Sequence, residues 1–341
     1  MNIKNFNFSS NNKFLISSFF LGILIIFFVI RLSNVDIGEF WKQITRSDFK
    51  ILGLALIVYY LGFLPRGFRF LLMTDLHSNN KNLFNNFLKS SVFLLIGWFI
   101  NSLTLLRAGD LYRIWLFTKE FKLKFINLFA FLLSERLQDL IIITSILLCI
   151  FLFAFSETQF PFWIVLTCLA ISLILIFLLI VGVATSRLIK YFPLSKNLDS
   201  SSFRENFYKP LRSKNLIFQL ICGILAWTTE IFRLALVLMA LNIELSFSLI
   251  ILVTILGTIL TIVPLPGGLG IVEGGLIGVL IIIGFDSTTA LTITIVDRSI
   301  TWFSILFTGS IAFIFWNITK KTKMNNFFPY SKDNQEFKKI E

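Results

Sequence analysis

Charge is scarce in this sequence. Only 15% of its 341 residues are Asp, Glu, Lys or Arg, against about 25% in ordinary soluble domains. That excludes a soluble globule. Histidine is nearly missing: His77 stands alone, without a Cys or His partner nearby. The three cysteines, Cys149, Cys168 and Cys222, all lie in apolar runs and read as core residues. No metal-ligand spacing, disulfide framework or cofactor motif is present. There is no Gly-x-Ser-x-Gly, and no Walker sequence either. General-base chemistry would fall to carboxylates with no soluble domain around them, so no enzyme is expected.

What is abundant is apolar: 56% of residues are hydrophobic, and 41 are phenylalanine. The apolar runs are long, as in a helical membrane protein, and do not alternate as in a β-barrel. The expected fold is an all-α polytopic membrane protein. The net charge of +12 sits between runs, as cytoplasmic loops require and anionic lipids favour. It does not suggest nucleic acid. Lys4 and Lys13 precede the first run without a small-residue cleavage site after it, so that run reads as an uncleaved span.

Full spans are expected over residues 14–30, 51–73, 126–155, 162–184, 216–241 and 287–316, six in all. Two further runs are broken. One, over 87–106, ends in Arg107-Ala108-Gly109-Asp110 and is followed by an amphipathic stretch to 124. The other, over 250–285, is interrupted by Pro264-Leu265-Pro266-Gly267-Gly268-Leu269-Gly270. Proline lacks a backbone donor and glycine lacks restraint, so neither break continues a helix. A broken backbone at membrane depth must be buried by protein or line a wet cavity. Both runs are therefore read as re-entrant hairpins; full crossings would leave the parity unchanged. Residues 31–50 read as a polar loop. The organisation is a short N-terminus (1–13), a membrane domain (14–318) and a tail (319–341).

The halves repeat. Arg69 and Arg233 sit on spans. The two glycine breaks follow, and then Glu135-Arg136 and Asp297-Arg298 on long helices. All are offset by about 160 residues, a recurrent transporter plan. Repeat one covers about 51–155 and repeat two about 216–318. The loop over 185–215 holds seven basic residues: Arg187, Lys190, Lys196, Arg204, Lys209, Arg212 and Lys214. It is placed in the cytoplasm. Both termini then lie inside, and the repeats are inverted.

Charges inside spans cost about 2.5–3.5 kcal/mol each on insertion scales, so they need partners or water. Arg136 can pair with Asp139, and Glu230 with Arg233, at i,i+3. Asp297 and Arg298 point apart and require other helices. Two readings stand side by side: charge pairs that fix helix packing, or a polar cavity for an ionic head group. A half-helix starting near Gly268 could aim N–H groups at a phosphate. Glu273 opposes that, and could instead hold Arg298 or bind a proton or cation. Arg107 and Arg113 offer cations to a phosphate, and Asp110 reads as a helix N-cap. Trp41, Trp98, Trp115, Trp163 and Trp316 read as interfacial anchors.

Pro264-x-Pro266-Gly267-Gly268-Leu269-Gly270-x-x-Glu273 resembles the signature of the lysylphosphatidylglycerol synthase transmembrane region, a flippase-like family. Arg66-x-x-Arg69, Asn101, Arg107-Ala-Gly109-Asp110-x-x-Arg113 and Glu135-Arg136 with Asp139 resemble its first-half pattern. Leu105-Leu106 stands where that family commonly has a proline. The resemblance spans about residues 15–320. It implies lipid movement between leaflets of the cell membrane, without a synthase domain. The implied ligand is a phospholipid or a polyprenyl-phosphate lipid. Its head group would meet Arg66, Arg69, Asn101, Arg107, Asp110, Arg113, Glu135, Arg136, Asp139, Glu230, Arg233, Pro264, Pro266, Gly267, Gly268, Gly270, Glu273, Asp297 and Arg298. The alternative is a non-catalytic membrane subunit that scaffolds a separate glycosyltransferase or lipid-modifying transferase. A homo-oligomer is compatible with either.

Overall fold

The computed structural model describes residues 36–74, 76, 82–104, 107–153, 161–184, 200–261 and 265–327. The expected first span (14–30), His77, Leu105, Leu106, Pro264 and residues 185–199 lie outside them. Thirteen α-helices and no strand occur among the described residues.

Residues 31–50 are not simply a loop. Helix α1, Ile37–Arg46, begins where the Asp36 carboxylate accepts from the nitrogens of Gly38 and Glu39. It exposes Ile37 and Trp41 on one side, one helical turn apart. Asp48 caps the next helix in the same way, accepting from Lys50 N and Ile51 N. That helix, α2 (Phe49–Leu61), runs almost directly into α3 (Phe63–Met73) through Gly62. Pro65 falls in the first turn of α3, where its missing donor is harmless.

Helix α4 (Leu83–Leu103) and helix α5 (Ala108–Phe121) form the first helical hairpin. They pack so closely that a Cβ on Gly109 would overlap the Gly97 carbonyl oxygen and stand 2.6 Å from Asn101 N. Helix α6 (Phe125–Phe153) and helix α7 (Phe162–Ala184) pack side by side, with the short α8 (Ser200–Tyr208) against α6. Helix α9 (Leu216–Ala240) packs along both α2 and α3. Helices α10 (Phe247–Leu260) and α11 (Ile271–Ile283) form the second hairpin around a short 3-10 turn, Pro266–Gly268. Helix α12 (Ser287–Arg298) passes through a π-helical turn, Ser299–Phe303, into α13 (Ser304–Phe327). The expected unbroken helix over 287–316 therefore carries a bulge directly after Asp297-Arg298.

Among the described residues, six helical segments are long and apolar enough to cross a membrane: Phe49–Met73, Leu83–Leu103, Phe162–Ala184, Leu216–Ala240, Pro266–Ile283 and Ser287–Thr319. The number equals the expected one, but the membership differs. The first expected span lies outside the described residues. Helix α6 is long, yet Glu135, Arg136 and Asp139 crowd its middle. In exchange, Leu83–Leu103 and Pro266–Ile283 from the two broken runs are long enough. Their partner arms, α5 and α10, have 14 residues each, short of the roughly 20 that span a bilayer core.

The hairpins open toward opposite ends. At one end Asp48 N donates to Ala240 O (2.9 Å) and Asp36 N to Thr288 Oγ1 (3.1 Å). The start of α2 thus meets the end of α9, and the start of α1 meets the start of α12, beside the open end of the second hairpin. At the other end Lys89 pairs with Glu120 across the first hairpin (2.6 Å). Trp316 packs edge-on against Phe93 there, and Phe203 of α8 packs against Phe129 of α6. The tips meet between these ends. A Cβ on Gly267 would lie 3.4 Å from Ser102 Cα.

The exterior is apolar. Helix α7 alone exposes Trp163, Leu166, Leu173, Ile174, Phe177 and Leu178. A water-soluble surface would not carry such a contiguous patch. Cys149 is exposed as well, contrary to its reading as a core residue; Cys168 and Cys222 are buried. A long apolar helix with lipid around it has no obligation to bury every apolar residue in protein.

Candidate head-group site

A cavity of about 780 Å³ lies between the two hairpins, α6, α7 and α9. Its walls carry both signs of charge. Arg66, Arg107, Arg136, Arg233 and Arg298 line it, together with Asp110, Asp139, Glu230 and Asp297. Gly267 and Gly268 of the second tip and Asn101 of the first also line it. Much of the remaining wall is apolar, with Ile171, Leu175 and Leu178 of α7 on one side.

Each half builds the same pair of contacts. In the first, Arg69 of α3 reaches Glu135 of α6 (3.2 Å) and Asp139 (2.7 Å). In the second, Arg233 of α9 touches Asp297 of α12. Glu135 and Asp297 are the matching acids of the repeat. Likewise Arg136 pairs with Asp110 (2.9 Å), and Arg298 with Glu273 (2.6 Å). Asp110 and Glu273 are each the third residue of their hairpin's second helix. The long-helix arginine thus clamps the first turn of the hairpin in both halves, where a carboxylate is also stabilised by the helix dipole.

Where the halves meet, Arg66 donates to Glu230 (2.9 Å). Arg66 also donates to the carbonyls of Gly62 and Ala226, and its guanidinium lies over the Trp98 ring. Glu230 accepts in addition from Arg233 Nε (3.2 Å). Trp98 is therefore a cavity residue under a cation, not an interfacial anchor. Tyr59 also lines the cavity, beneath the Arg233 guanidinium. Its hydroxyl donates to Thr301 O (3.0 Å).

Several expectations need correction. Asp110 is not the N-cap of α5. Arg107 holds that place in a left-handed conformation (φ 53°), and the Asp110 side chain instead accepts from Asn101 Nδ2 and Arg136. The second half-helix starts at Ile271 rather than near Gly268. Its N-terminus is already filled: Glu273 Oε2 accepts from Gly270 N (2.6 Å), while its other oxygen holds Arg298. Glu273 thus takes the place at Gly270 N that a phosphate oxygen would need. Arg69 and Arg113 do not reach the cavity; each side chain is 2% exposed. Arg113 donates to Glu135 and stacks on Phe70. Glu135 and Glu273 likewise sit behind the wall and hold arginines. Pro266 is buried and shapes the tip. Gly267 (φ 57°), Gly268 (φ 71°) and Gly270 (φ 82°) all need the left-handed region, which side chains resist. At Gly267 a Cβ would also collide with Trp302.

The i,i+3 pairs are present as expected: Arg136 with Asp139 at 3.6 Å and Arg233 with Glu230 at 3.2 Å. So are cross-helix partners for Asp297 and Arg298. Threonines of α10 and its C-cap add polar groups that no motif in the sequence marks. Thr254, Thr258 and Thr261 line the cavity at helical spacing, and their hydroxyls donate to the carbonyls of Ile250, Thr254 and Thr258 one turn earlier. Their oxygens are left to accept. The three-to-four-residue spacing was a visible signal, but threonine in an apolar run is common. Among the described residues the cluster holds seven arginines (66, 69, 107, 113, 136, 233, 298) and six acids (110, 135, 139, 230, 273, 297). No group of His, Cys, Asp and Glu among the described residues could hold a metal ion.

Comparison with known proteins agrees with the resemblance. A family model described as the lysylphosphatidylglycerol synthase TM region matches residues 14–309. A UPF0104 membrane protein of Methanocaldococcus jannaschii is 28% identical over 231 residues, covering 66% of this chain and 98% of that protein. One from Pyrococcus horikoshii is 23% identical over 299 residues, 79% of this chain and 88% of the relative. Another, from Methanothermobacter thermautotrophicus, is 35% identical over 105 residues, 30% of this chain and 31% of that protein. No solved structure matches. The chain belongs to the lysylphosphatidylglycerol synthase transmembrane-region family of membrane proteins.

Proposed function

We propose that this protein moves an anionic or polyprenyl-phosphate-linked lipid between the leaflets of the cell membrane, without making or breaking a covalent bond. The observation that carries the reading is the composition of one cavity. Arginines and acids line the part between the hairpin tips, and aliphatic side chains of α7 line one side of the remainder. A charged head group would sit at the tips while its tails follow α7 into lipid. Intramembrane charges are retained where a polar cargo or water passes, and inverted repeats with broken helices place binding sites at the midplane.

In this reading the hairpins are re-entrant, one from each face, and both termini are cytoplasmic. The 14-residue arms α5 and α10 suit that arrangement. The test is reconstitution of folded protein into liposomes with fluorescent phospholipids. Head-group-dependent loss of leaflet asymmetry above empty vesicles is expected. Rates equal to empty vesicles for every anionic lipid tried would overturn the reading. The alternative, a subunit that scaffolds a separate transferase, draws on the family description, which refers to a synthase. It predicts a soluble enzyme that co-purifies stoichiometrically, with no lipid movement by the isolated protein.

A further inference from the structure

Among the described residues the cluster around the cavity holds seven guanidiniums and six carboxylates, and every carboxylate touches at least one guanidinium. One positive charge is therefore in excess. Helix dipoles do not cancel it, because each hairpin tip brings a C-terminus beside an N-terminus. An uncompensated charge at this depth requires water or a ligand.

The surplus can be located. Asp110 gives its close contacts to Arg136 (2.9 Å) and Asn101 (3.1 Å). Arg107 reaches it only at 3.5 Å, and its Nε–H, like those of Arg69 and Arg113 behind the wall, is buried without a hydrogen-bond partner. Its side chain is 34% exposed, the most of the seven. Its backbone is left-handed, one of three such non-glycine residues among those described. Strain of that kind collects at ligand sites. The strained turn forms the tip of the first hairpin, and Arg107 lines the cavity there.

Resting on the lipid reading above, we propose that Arg107 binds a phosphodiester, and that the site selects lipids whose head group carries a single net negative charge. A phosphodiester matches the guanidinium fork and cancels the surplus. A zwitterionic lipid brings its own cation and leaves the surplus in place. A dianion overshoots it. Glycerophospholipids and polyprenyl-phosphoryl sugars both carry the required chemistry.

Native mass spectrometry of the full chain in detergent provides the test. The probes are dioleoyl-phosphatidylglycerol, dioleoyl-phosphatidylcholine, dioleoyl-phosphatidic acid at pH 8.5 and a polyprenyl-phosphoryl hexose. One of the phosphodiester monoanions should bind about ten-fold more tightly than phosphatidylcholine, a difference of about 1.4 kcal/mol. Which of the two binds identifies the lipid source. Arg107→Gln should reduce that preference to about two-fold or less, and Arg107→Lys should restore part of it. Asp139→Asn raises the surplus to two and should move the preference toward phosphatidic acid; it reports on charge without altering the tip. Equal affinity for phosphatidylcholine and both monoanions, or a preference that survives in folded Arg107→Gln, would overturn the proposal. Binding of the monoanion without translocation would sink the transport reading alone. Translocation indifferent to head-group charge would sink this one alone.

Discussion

Arg66 and Glu230 occupy equivalent positions in the two halves, and they pair with each other at 2.9 Å. The repeat offset that relates Arg69 to Arg233 also relates Arg66 to Glu230. An ion pair between equivalent positions lies on the local two-fold relation between the halves. It is also where α9 packs against α3. The other ion pairs of the cluster among the described residues hold each half together; this one joins the halves, with Glu230 also tied to Arg233.

Breaking that pair from one side leaves a charge without its partner. A buried pair broken this way costs about 3–5 kcal/mol. Both side chains line the cavity and are partly exposed, so about 2 kcal/mol is expected for Arg66→Gln or Glu230→Gln, taken as a discount on that range. The double variant should lose clearly less than the sum. Thermal unfolding in detergent measures the cycle, and simple additivity would show that the two residues do not couple.

Helix packing gives a sharper contrast. Gly109→Ala would drive a methyl into the Gly97 carbonyl, and backbone cannot yield as a side chain can. A loss at or above the usual overpacking range of about 1–3 kcal/mol is expected. Gly278 lies in helix α11, where a Cβ meets nothing within 4 Å. Gly278→Ala should stabilise by up to about 1 kcal/mol. Parallel melting curves of the two variants settle the comparison; a stable Gly109→Ala would contradict the close contact of α4 and α5.

The proposed topology is open to chemical labelling. Lys124 follows the first hairpin and Glu244 precedes the second, both exposed. Lys124→Cys and Glu244→Cys, in a background without the three native cysteines, should react from opposite sides of the membrane. An impermeant maleimide added to intact cells should label only the Glu244→Cys variant. Labelling of both from one side would contradict hairpins that open toward opposite faces.

Asp286 caps α12 by accepting from Thr289 N (3.0 Å). Burial pushes its carboxyl up, but hydrogen bonds from the backbone and side chain of Thr289 and from neighbouring backbone nitrogens together hold it below the ordinary aspartate value. A lowered folded-state pKa means the contribution is present above the unfolded value of about 3.9. It fades as pH falls through the folded one. Asp286→Ala should cost about 1 kcal/mol at neutral pH and progressively less as acid protonates the wild-type side chain. A cost that is unchanged at pH 3 would remove the carboxylate from the cap.

Much of the fold could be read from local chemistry. Proline and glycine placed the second break, because Gly267, Gly268 and Gly270 need a backbone that other residues resist. The i,i+3 spacing predicted Arg233 with Glu230. The repeat order anticipated matching acids and arginines, and the ion pairs follow that order. Helix α1 was hidden by its mixture of charge and Trp41. Its strongest mark, Asp36 ahead of Gly38 and Glu39, is a short cap signal in a polar stretch. The failure of Asp110 as a cap has a physical cause. Arg107 and Asn101 compete for the same turn, and Arg136 arrives from another helix.

The sequence by itself determined that this is a polytopic helical protein with two broken runs and buried charges that require partners. Those follow from hydropathy, backbone restriction and the cost of charge in lipid, all of which are local. Only the tertiary structure decided which arginines face the cavity. Arg69 and Arg113 are locked behind it by Glu135, whereas Arg107 shares an aspartate already taken. Likewise Arg66 finds Glu230, 164 residues away. Such choices depend on where helices meet, and no spacing along a single helix encodes that meeting.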